Sequence, residues 1–80
     1  MSISADVAVT LARLRADVAS GRAREIRELA RLSQAEVAAA IGVSQPTVAG
    51  WEAGRRRPHG EPAARYADLL ARLEQADEEE

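Results

Sequence analysis

Cysteine is absent from this 80-residue chain, as are phenylalanine and lysine, and there is one tryptophan, one tyrosine and one histidine. Without cysteine the chain cannot build a disulfide framework or a zinc site with thiolate ligands. A single domain of this length is near the lower limit at which one hydrophobic core can stabilise a fold. The apolar residues must therefore form one efficient core, or a partner subunit must help.

Long hydrophobic runs are also missing. The longest uncharged run, residues 37–51, contains glycine and proline and is too short to cross a bilayer. The N-terminus carries Asp6 and lacks the basic-then-apolar pattern of a signal peptide. We therefore expect a cytoplasmic protein with no membrane partner.

Residues suited to catalysis are scarce. The sequence has no Gly-rich phosphate loop, no His-Glu-x-x-His pair and no Gly-x-Ser-x-Gly motif. Its one histidine, His59, lies beside Gly60 in a polar segment without partners in a catalytic arrangement. We predict that the protein is not an enzyme and has no metal site and no cofactor.

Charge is unevenly distributed along the chain. The net charge is −2, but residues 73–80 hold five of the 13 acidic residues. In residues 1–72, arginines therefore outnumber acidic residues. All 11 basic residues are arginine, the side chain best suited to contacts with phosphate and guanine. The composition thus permits DNA binding without requiring it.

Two short helices joined by a tight turn are predicted within residues 33–54, SQAEVAAAIGVSQPTVAGWEAG. Ser33 and Glu36 form the pattern of a capping box, which starts the first helix, and Gly42 can end it in a left-handed conformation. Ser44 offers a second N-cap, and Pro46 falls in the first turn of the second helix, where a missing N–H is tolerated. This arrangement is typical of a helix-turn-helix, whose second helix can enter a DNA major groove.

The same segment resembles the helix-turn-helix regulators of the Cro and phage-repressor type. The resemblance covers roughly residues 22–58 and rests on Gln34, Ala35, Glu36, Ala38, Gly42, Val43, Ser44, Val48, Trp51, Glu52, Gly54, Arg56 and Pro58. It implies an all-α, lambda-repressor-like bundle of about five helices in a bacterial or phage-encoded protein. It also implies an ion pair between Arg27 and Glu52.

The resemblance implies a transcriptional regulator, most simply a repressor, that inserts helix 44–52 into the major groove of a palindromic operator as a homodimer. The bound regulator would then either block RNA polymerase from the promoter or contact it, which makes the polymerase a further partner. Two alternatives stay open: the antitoxin of a toxin pair that represses its own promoter, and a protein-interaction module that has lost DNA binding.

Direct base readout is expected at the start of the second motif helix. Gln45 can bond the N6 and N7 edge of adenine, and the Thr47 methyl group can pack on a thymine methyl. Ser44 and Pro46 shape this first turn, and Gly50 is expected on the outer side, where it would let the helix lie deep in the groove. The alternative for Gln45 is that it only caps its own helix.

Phosphate contacts are expected from two further places. Gln34 begins the first motif helix and is predicted to bond one phosphate. Arg55, Arg56 and Arg57 repel one another, and a polyanion in front of them would relieve that repulsion. The alternative for residues 55–57 is a solvated turn.

The segment before the motif predicts an amphipathic helix over residues 1–20 that packs on the same domain. Ser2 or Ser4 can cap it, and its apolar stripe is either ordinary core or a dimer seam. The stripe consists of Val7, Leu11, Leu14 and Val18. A break is expected at Ser20–Gly21, after which the DNA-binding domain runs over residues 21–76.

A second helix is predicted over residues 22–31, with Arg31 where the family often has glycine. At that position arginine must fray, adopt the left-handed conformation at a cost, or let the helix continue. Pro62 is expected to open the last helix, whose apolar stripe is Tyr66, Leu69, Leu70 and Leu73, a second candidate dimer face. Residues 77–80 are expected to be a disordered acidic tail, because negative charge opposes the dipole at a helix C-terminus.

Overall fold

Five α-helices make up the part of the chain that the computed structural model describes, residues 3–78. They are α1 (Ala5–Ser20), α2 (Arg22–Leu29), α3 (Gln34–Ile41), α4 (Gln45–Glu52) and α5 (Gly60–Glu78). These residues contain no strand. The predicted small all-α bundle of about five helices is confirmed.

Serine side chains begin three of the helices. The Oγ atoms of Ser4, Ser33 and Ser44 accept hydrogen bonds from the backbone N–H three residues later, at 3.1, 3.0 and 3.3 Å. At Ser33 the capping box is complete, because the Glu36 carboxylate accepts from the Ser33 N–H at 2.9 Å. This backbone hydrogen bond lowers the pKa of Glu36. Ser2, the other candidate cap, lies outside the described residues.

Gly21 separates α1 from α2, where the sequence predicts a break. Its φ of +85° lies in the left-handed region, which a side chain disfavours, and its N–H donates to Val18 O at 3.3 Å. A glycine is needed here because the chain turns from one helix directly into the next.

Only the C-terminal half of α1 packs on the domain. Leu14 and Val18 are buried and Leu11 is half-buried, whereas every residue from 3 to 10 is exposed, including Val7. The predicted stripe is therefore core at one end and surface at the other.

Arg31 ends α2 in the left-handed conformation, one of the three outcomes that the sequence left open. Its φ is +61°, and it is the one non-glycine residue with positive φ between residues 3 and 78. The N–H of Arg31 donates to Glu28 O at 3.0 Å and that of Leu32 to Arg27 O at 3.2 Å, as in a Schellman motif. These two hydrogen bonds satisfy carbonyl groups at the helix end. They hold Arg31 in a conformation that glycine adopts more easily than arginine.

Buried apolar side chains from all five helices form the core. The ring of Trp51 in α4 stacks on Tyr66 in α5, with ring centroids 4.8 Å apart and planes 28° from parallel. The hydroxyl of Tyr66 has no hydrogen-bond partner within residues 3–78. Other buried apolar side chains are those of Leu14, Val18, Ala23, Ile26, Val37, Ala38, Ile41, Val48, Ala63 and Leu70.

The last helix is longer than predicted at both ends. It begins at Gly60, which leaves Pro62 within the first turn, where its missing N–H has no intrahelical partner to lose. It continues to Glu78, so Asp77 and Glu78 are helical and the predicted disorder is wrong for these two residues. One turn earlier, Glu74 is held to α2 by a 3.2 Å ion pair with Arg22, which stabilises the end of α5 against fraying. Residues 79 and 80 of the predicted tail lie outside the described residues.

Candidate nucleic-acid interface

The helix-turn-helix consists of α3, the turn at residues 42–44, and α4. Gly42 makes the turn with φ +74°, and the N–H of Val43 donates to Ala38 O at 3.0 Å. Val48 and Trp51 anchor α4 to the core. Helical periodicity then leaves the first turn of α4 at the surface, where Gln45 and Pro46 are exposed and Thr47 is half-buried.

Arg27 of α2 and Glu52 at the end of α4 form a bidentate ion pair. Arg27 Nε lies 2.6 Å from Glu52 Oε2, and Arg27 Nη2 lies 2.9 Å from Glu52 Oε1. The two side chains are 11% and 4% exposed. Arg27 Nη1 also donates to Leu32 O at 2.8 Å, so one guanidinium ties α2, the loop before α3 and the end of α4 together.

Opposing effects determine the protonation of Glu52. Burial disfavours its ionised form, but the hydrogen bonds from Arg27 and Gln34 and the charge of Arg27 outweigh burial, so the pKa of Glu52 lies below its ordinary value. The pair is therefore fully charged at neutral pH.

A chain of hydrogen bonds runs from this ion pair to the exposed start of α4. Gln34 Nε2 donates to Glu52 Oε1 at 2.9 Å, and Gln45 Nε2 donates to Gln34 Oε1 at 2.8 Å. Ser44, rather than Gln45, caps α4, so the self-capping alternative for Gln45 is wrong. This connection was not predicted from the sequence, although Gln45 and Glu52 are two turns apart and hence on the same side of α4.

The loop after α4 folds back on its last turn. The N–H groups of Arg55 and Arg56 both donate to Gly50 O, at 2.9 and 3.1 Å. The aliphatic stem of Arg56 then covers Gly50, where an added Cβ would lie 3.0 Å from Arg56 Cδ. The expectation that Gly50 lies on the outer side is wrong, because the returning loop buries it.

The side chains of Arg55, Arg56 and Arg57 are exposed, and none forms an ion pair with any residue between 3 and 78. Five other arginines have carboxylate partners in the same structure. These pairs are Arg22 with Glu25 and Glu74, Arg24 with Glu28, Arg27 with Glu52, Arg65 with Glu61, and Arg72 with Asp68. Uncompensated positive charge is therefore concentrated beside the C-terminal end of α4.

Two positioning arginines were not predicted from the sequence. Arg65 Nε of α5 donates to Ile41 O at 2.8 Å and so holds the carbonyl end of α3. Arg15 Nη2 of α1 donates to Pro58 O at 3.3 Å, just beyond the basic loop. No local pattern indicates either contact, because each joins residues more than 20 positions apart.

Within residues 3–78, no group of three or more histidine or acidic residues could hold a metal ion.

A model of the helix-turn-helix family matches residues 24–73, which include α3, α4 and most of α2 and α5. No curated protein and no solved structure matches the chain. The match begins after α1, so α1 lies outside the shared segment.

Proposed function

Since this chain belongs to the Cro/C1-type helix-turn-helix family of DNA-binding regulators, we propose that it is a repressor that inserts α4 into the major groove of a palindromic operator. The observation that carries the proposal is the hydrogen-bonded chain from the buried ion pair to Gln45. It holds an amide side chain at the exposed start of α4 before DNA binds.

Gln45 is the main base-reading residue in this proposal. Its Oε1 atom and its second N–H remain for the N6 and N7 edge of an adenine, while Gln34 holds its first N–H. Because Gln34 fixes the amide, less side-chain freedom is lost on binding than for a free glutamine. Thr47, one turn into the helix, supplies a methyl group for a neighbouring thymine.

In this proposal, contacts to the DNA backbone come from Gln34 and from the loop of residues 55–57. Arg55 and Arg57 supply charge to phosphates, and Arg56 does so with its stem packed on Gly50. Gln34, already bonded to Glu52 and Gln45, keeps one N–H for a phosphate and aligns Gln45 as well. Phosphate contacts set the position of the helix and carry no base information.

Two copies of the domain are required for tight operator binding. One helix-turn-helix makes few base and phosphate contacts, whereas two units reading half-sites one helical turn apart, roughly 34 Å, combine them. A bound dimer then blocks access of RNA polymerase to the promoter.

Selection of bound sequences from random DNA tests this function. We expect a palindromic motif for the parent protein. Gln45→Ala should weaken binding by about 1–3 kcal/mol and relax preference at one base pair in each half-site. Arg57→Ala is the matched control, because loss of a phosphate contact should weaken all sequences alike.

Two results would contradict the proposal. If no motif is enriched, the chain is a family member without operator recognition. If the Gln45→Ala protein selects the same motif as the parent, Gln45 does not read bases.

A further inference from the structure

The basic loop, residues 55–57, is tied to the domain at both ends. At its start, the N–H groups of its first two residues donate to Gly50 O in α4. Directly after it, the ring of Pro58 is fully buried, and the Pro58 carbonyl accepts from Arg15 Nε at 3.4 Å and Arg15 Nη2 at 3.3 Å. The first tether lies within the helix-turn-helix, whereas the hydrogen bonds of the second come from α1.

The carbonyl of Pro58 is open to Arg15 because the backbone donor next in line is missing. The N–H of Ala63 donates to His59 O at 3.4 Å, which is the four-residue spacing of an α-helix. The same spacing would bring the N–H of residue 62 to Pro58 O, but Pro62 has no N–H. The guanidinium takes the place of this donor, and a charged donor forms a stronger hydrogen bond than a neutral one.

Arg15 is a firm anchor because the turn of α1 that carries it belongs to the core. Leu14, beside it in the chain, and Val18, one turn later, are buried, and Arg15 itself is half-buried. Its guanidinium forms no ion pair with any residue between 3 and 78. The family match begins at residue 24, so this anchor lies outside the shared segment.

We infer that Arg15 is a positioning residue for DNA binding: without contacting DNA, it holds the basic loop where its three arginines meet phosphates. This role rests on the proposed DNA binding and adds α1 to the elements that determine affinity. A loop tied at one end samples more conformations, and binding must then order it again. The loss should fall on affinity and leave base preference unchanged, because phosphate contacts carry no base information.

Three variants isolate the tether. Arg15→Met keeps an unbranched apolar stem and removes the donors, whereas Arg15→Lys keeps the charge and a donor. Arg13→Met is the matched control, because Arg13 is exposed on the same helix and has no ion pair among residues 3–78. It removes the same charge without removing a tether.

The first test, amide hydrogen exchange, needs no DNA. In Arg15→Met, the N–H groups of Arg55 and Arg56 should exchange about tenfold faster, because opening the loop no longer breaks the hydrogen bonds to Pro58. Arg15→Lys should recover most of the protection, and Arg13→Met should exchange like the parent. The N–H of Trp51 in α4 should keep its rate in all three variants, which shows that the domain is folded.

The second test asks whether Arg15 acts through the loop, using gel shifts on duplex DNA with the selected motif. Arg15→Met should weaken binding about threefold to tenfold, with the motif and the salt slope of the parent. The double variant Arg55→Ala, Arg57→Ala removes two contacts that the loop makes. Adding Arg15→Met to it should therefore weaken binding by less than about twofold, because residues that act through one another are not additive.

The outcomes separate the tether from the proposed function. Unchanged exchange of the loop in Arg15→Met, or additive losses of affinity, would overturn the role of Arg15 and leave the repressor intact. A salt slope lowered by about 0.9 in Arg15→Met, but not in Arg13→Met, would make Arg15 itself a phosphate contact and would also overturn it. Faster exchange of the loop in a chain that binds no DNA would support the tether and reject the repressor.

Discussion

Arg27 and Arg56 lie on two sides of the C-terminal end of α4 and differ in how the chain uses them. Arg27 is buried in a bidentate pair with Glu52, so its charge is compensated within the protein. Arg56 is placed by its backbone N–H and its aliphatic stem against Gly50, and its guanidinium has no carboxylate partner between residues 3 and 78. The charge of Arg27 is compensated by Glu52, whereas that of Arg56 is uncompensated among residues 3–78.

Breaking the buried ion pair between Arg27 and Glu52 should have the largest effect on stability. Glu52→Ala should lower the free energy of unfolding by about 3–5 kcal/mol, because it leaves Arg27 buried without a counter-ion. Urea denaturation measures the change. Glu61→Ala is the matched control, since its pair with Arg65 is exposed and should contribute about 0–1 kcal/mol.

A double variant sharpens this prediction. Arg27→Met with Glu52→Leu should recover most of the lost stability, because apolar residues of similar volume can replace a buried pair. If Glu52→Ala melts within about a degree or two of the parent, the pair does not stabilise the fold and the contrast with Arg56 disappears.

High pH should also destabilise the fold, through the buried side chain of Tyr66. Burial, aided by the negative charge of Glu52, raises the pKa of Tyr66 to about 12. In the unfolded chain tyrosine ionises near pH 10, so between these values the unfolded state loses a proton that the folded state keeps. The free energy of unfolding should therefore fall as pH rises from about 10 to about 12, by about 2–3 kcal/mol in total.

Tyr66→Phe is the comparison for this pH effect. The buried hydroxyl has no partner within the described residues, so its removal should be nearly neutral at pH 7. Parent and variant stabilities, measured by urea denaturation from pH 7 to 11.5, should diverge only above about pH 10. Parallel curves would mean that Tyr66 ionises normally.

Arg31, like the loop arginines, has no ion pair among residues 3–78, but it differs from them in its left-handed backbone conformation. Arg31→Gly should stabilise the protein by about 1 kcal/mol, because glycine adopts the left-handed conformation without the penalty of a side chain. Thermal melts measure the gain, with Arg24→Gly in the middle of α2 as a control that should be destabilising. A loss of stability in Arg31→Gly would show that the arginine side chain itself holds the helix end.

The smallest effects on stability are expected in the basic loop. Arg55→Ala and Arg57→Ala should change the free energy of unfolding by less than about 0.5 kcal/mol. Each should nevertheless reduce the slope of log K against log salt for DNA binding by about 0.9. Arg56→Ala should show the same change in slope together with a larger loss of stability, because its stem packs on Gly50.

A changed base preference with an unchanged salt slope in Arg55→Ala or Arg57→Ala would reverse the assignment of these two residues. It would place their side chains at base edges rather than at phosphates. Binding titrations at several salt concentrations against the selected motif and a scrambled site distinguish the two cases.

The local structure follows from short-range patterns in the chain. The caps at Ser4, Ser33 and Ser44 and the turns at Gly21 and Gly42 involve atoms within about five positions of one another, so residue type and spacing were enough to predict them. The helix-turn-helix followed from the same local signals.

Which of the predicted surfaces are available depends on contacts that join distant parts of the chain. Gly50 is covered by Arg56, Gln34 is bonded to Glu52 and Gln45, and the stripe of α1 is half core and half surface. The contacts of Gln34 with Glu52 and Gln45 depend on how whole helices pack, because they join residues 18 and 11 positions apart. Helical periodicity shows which side chains share a face, but the packing of the other helices decides what that face meets.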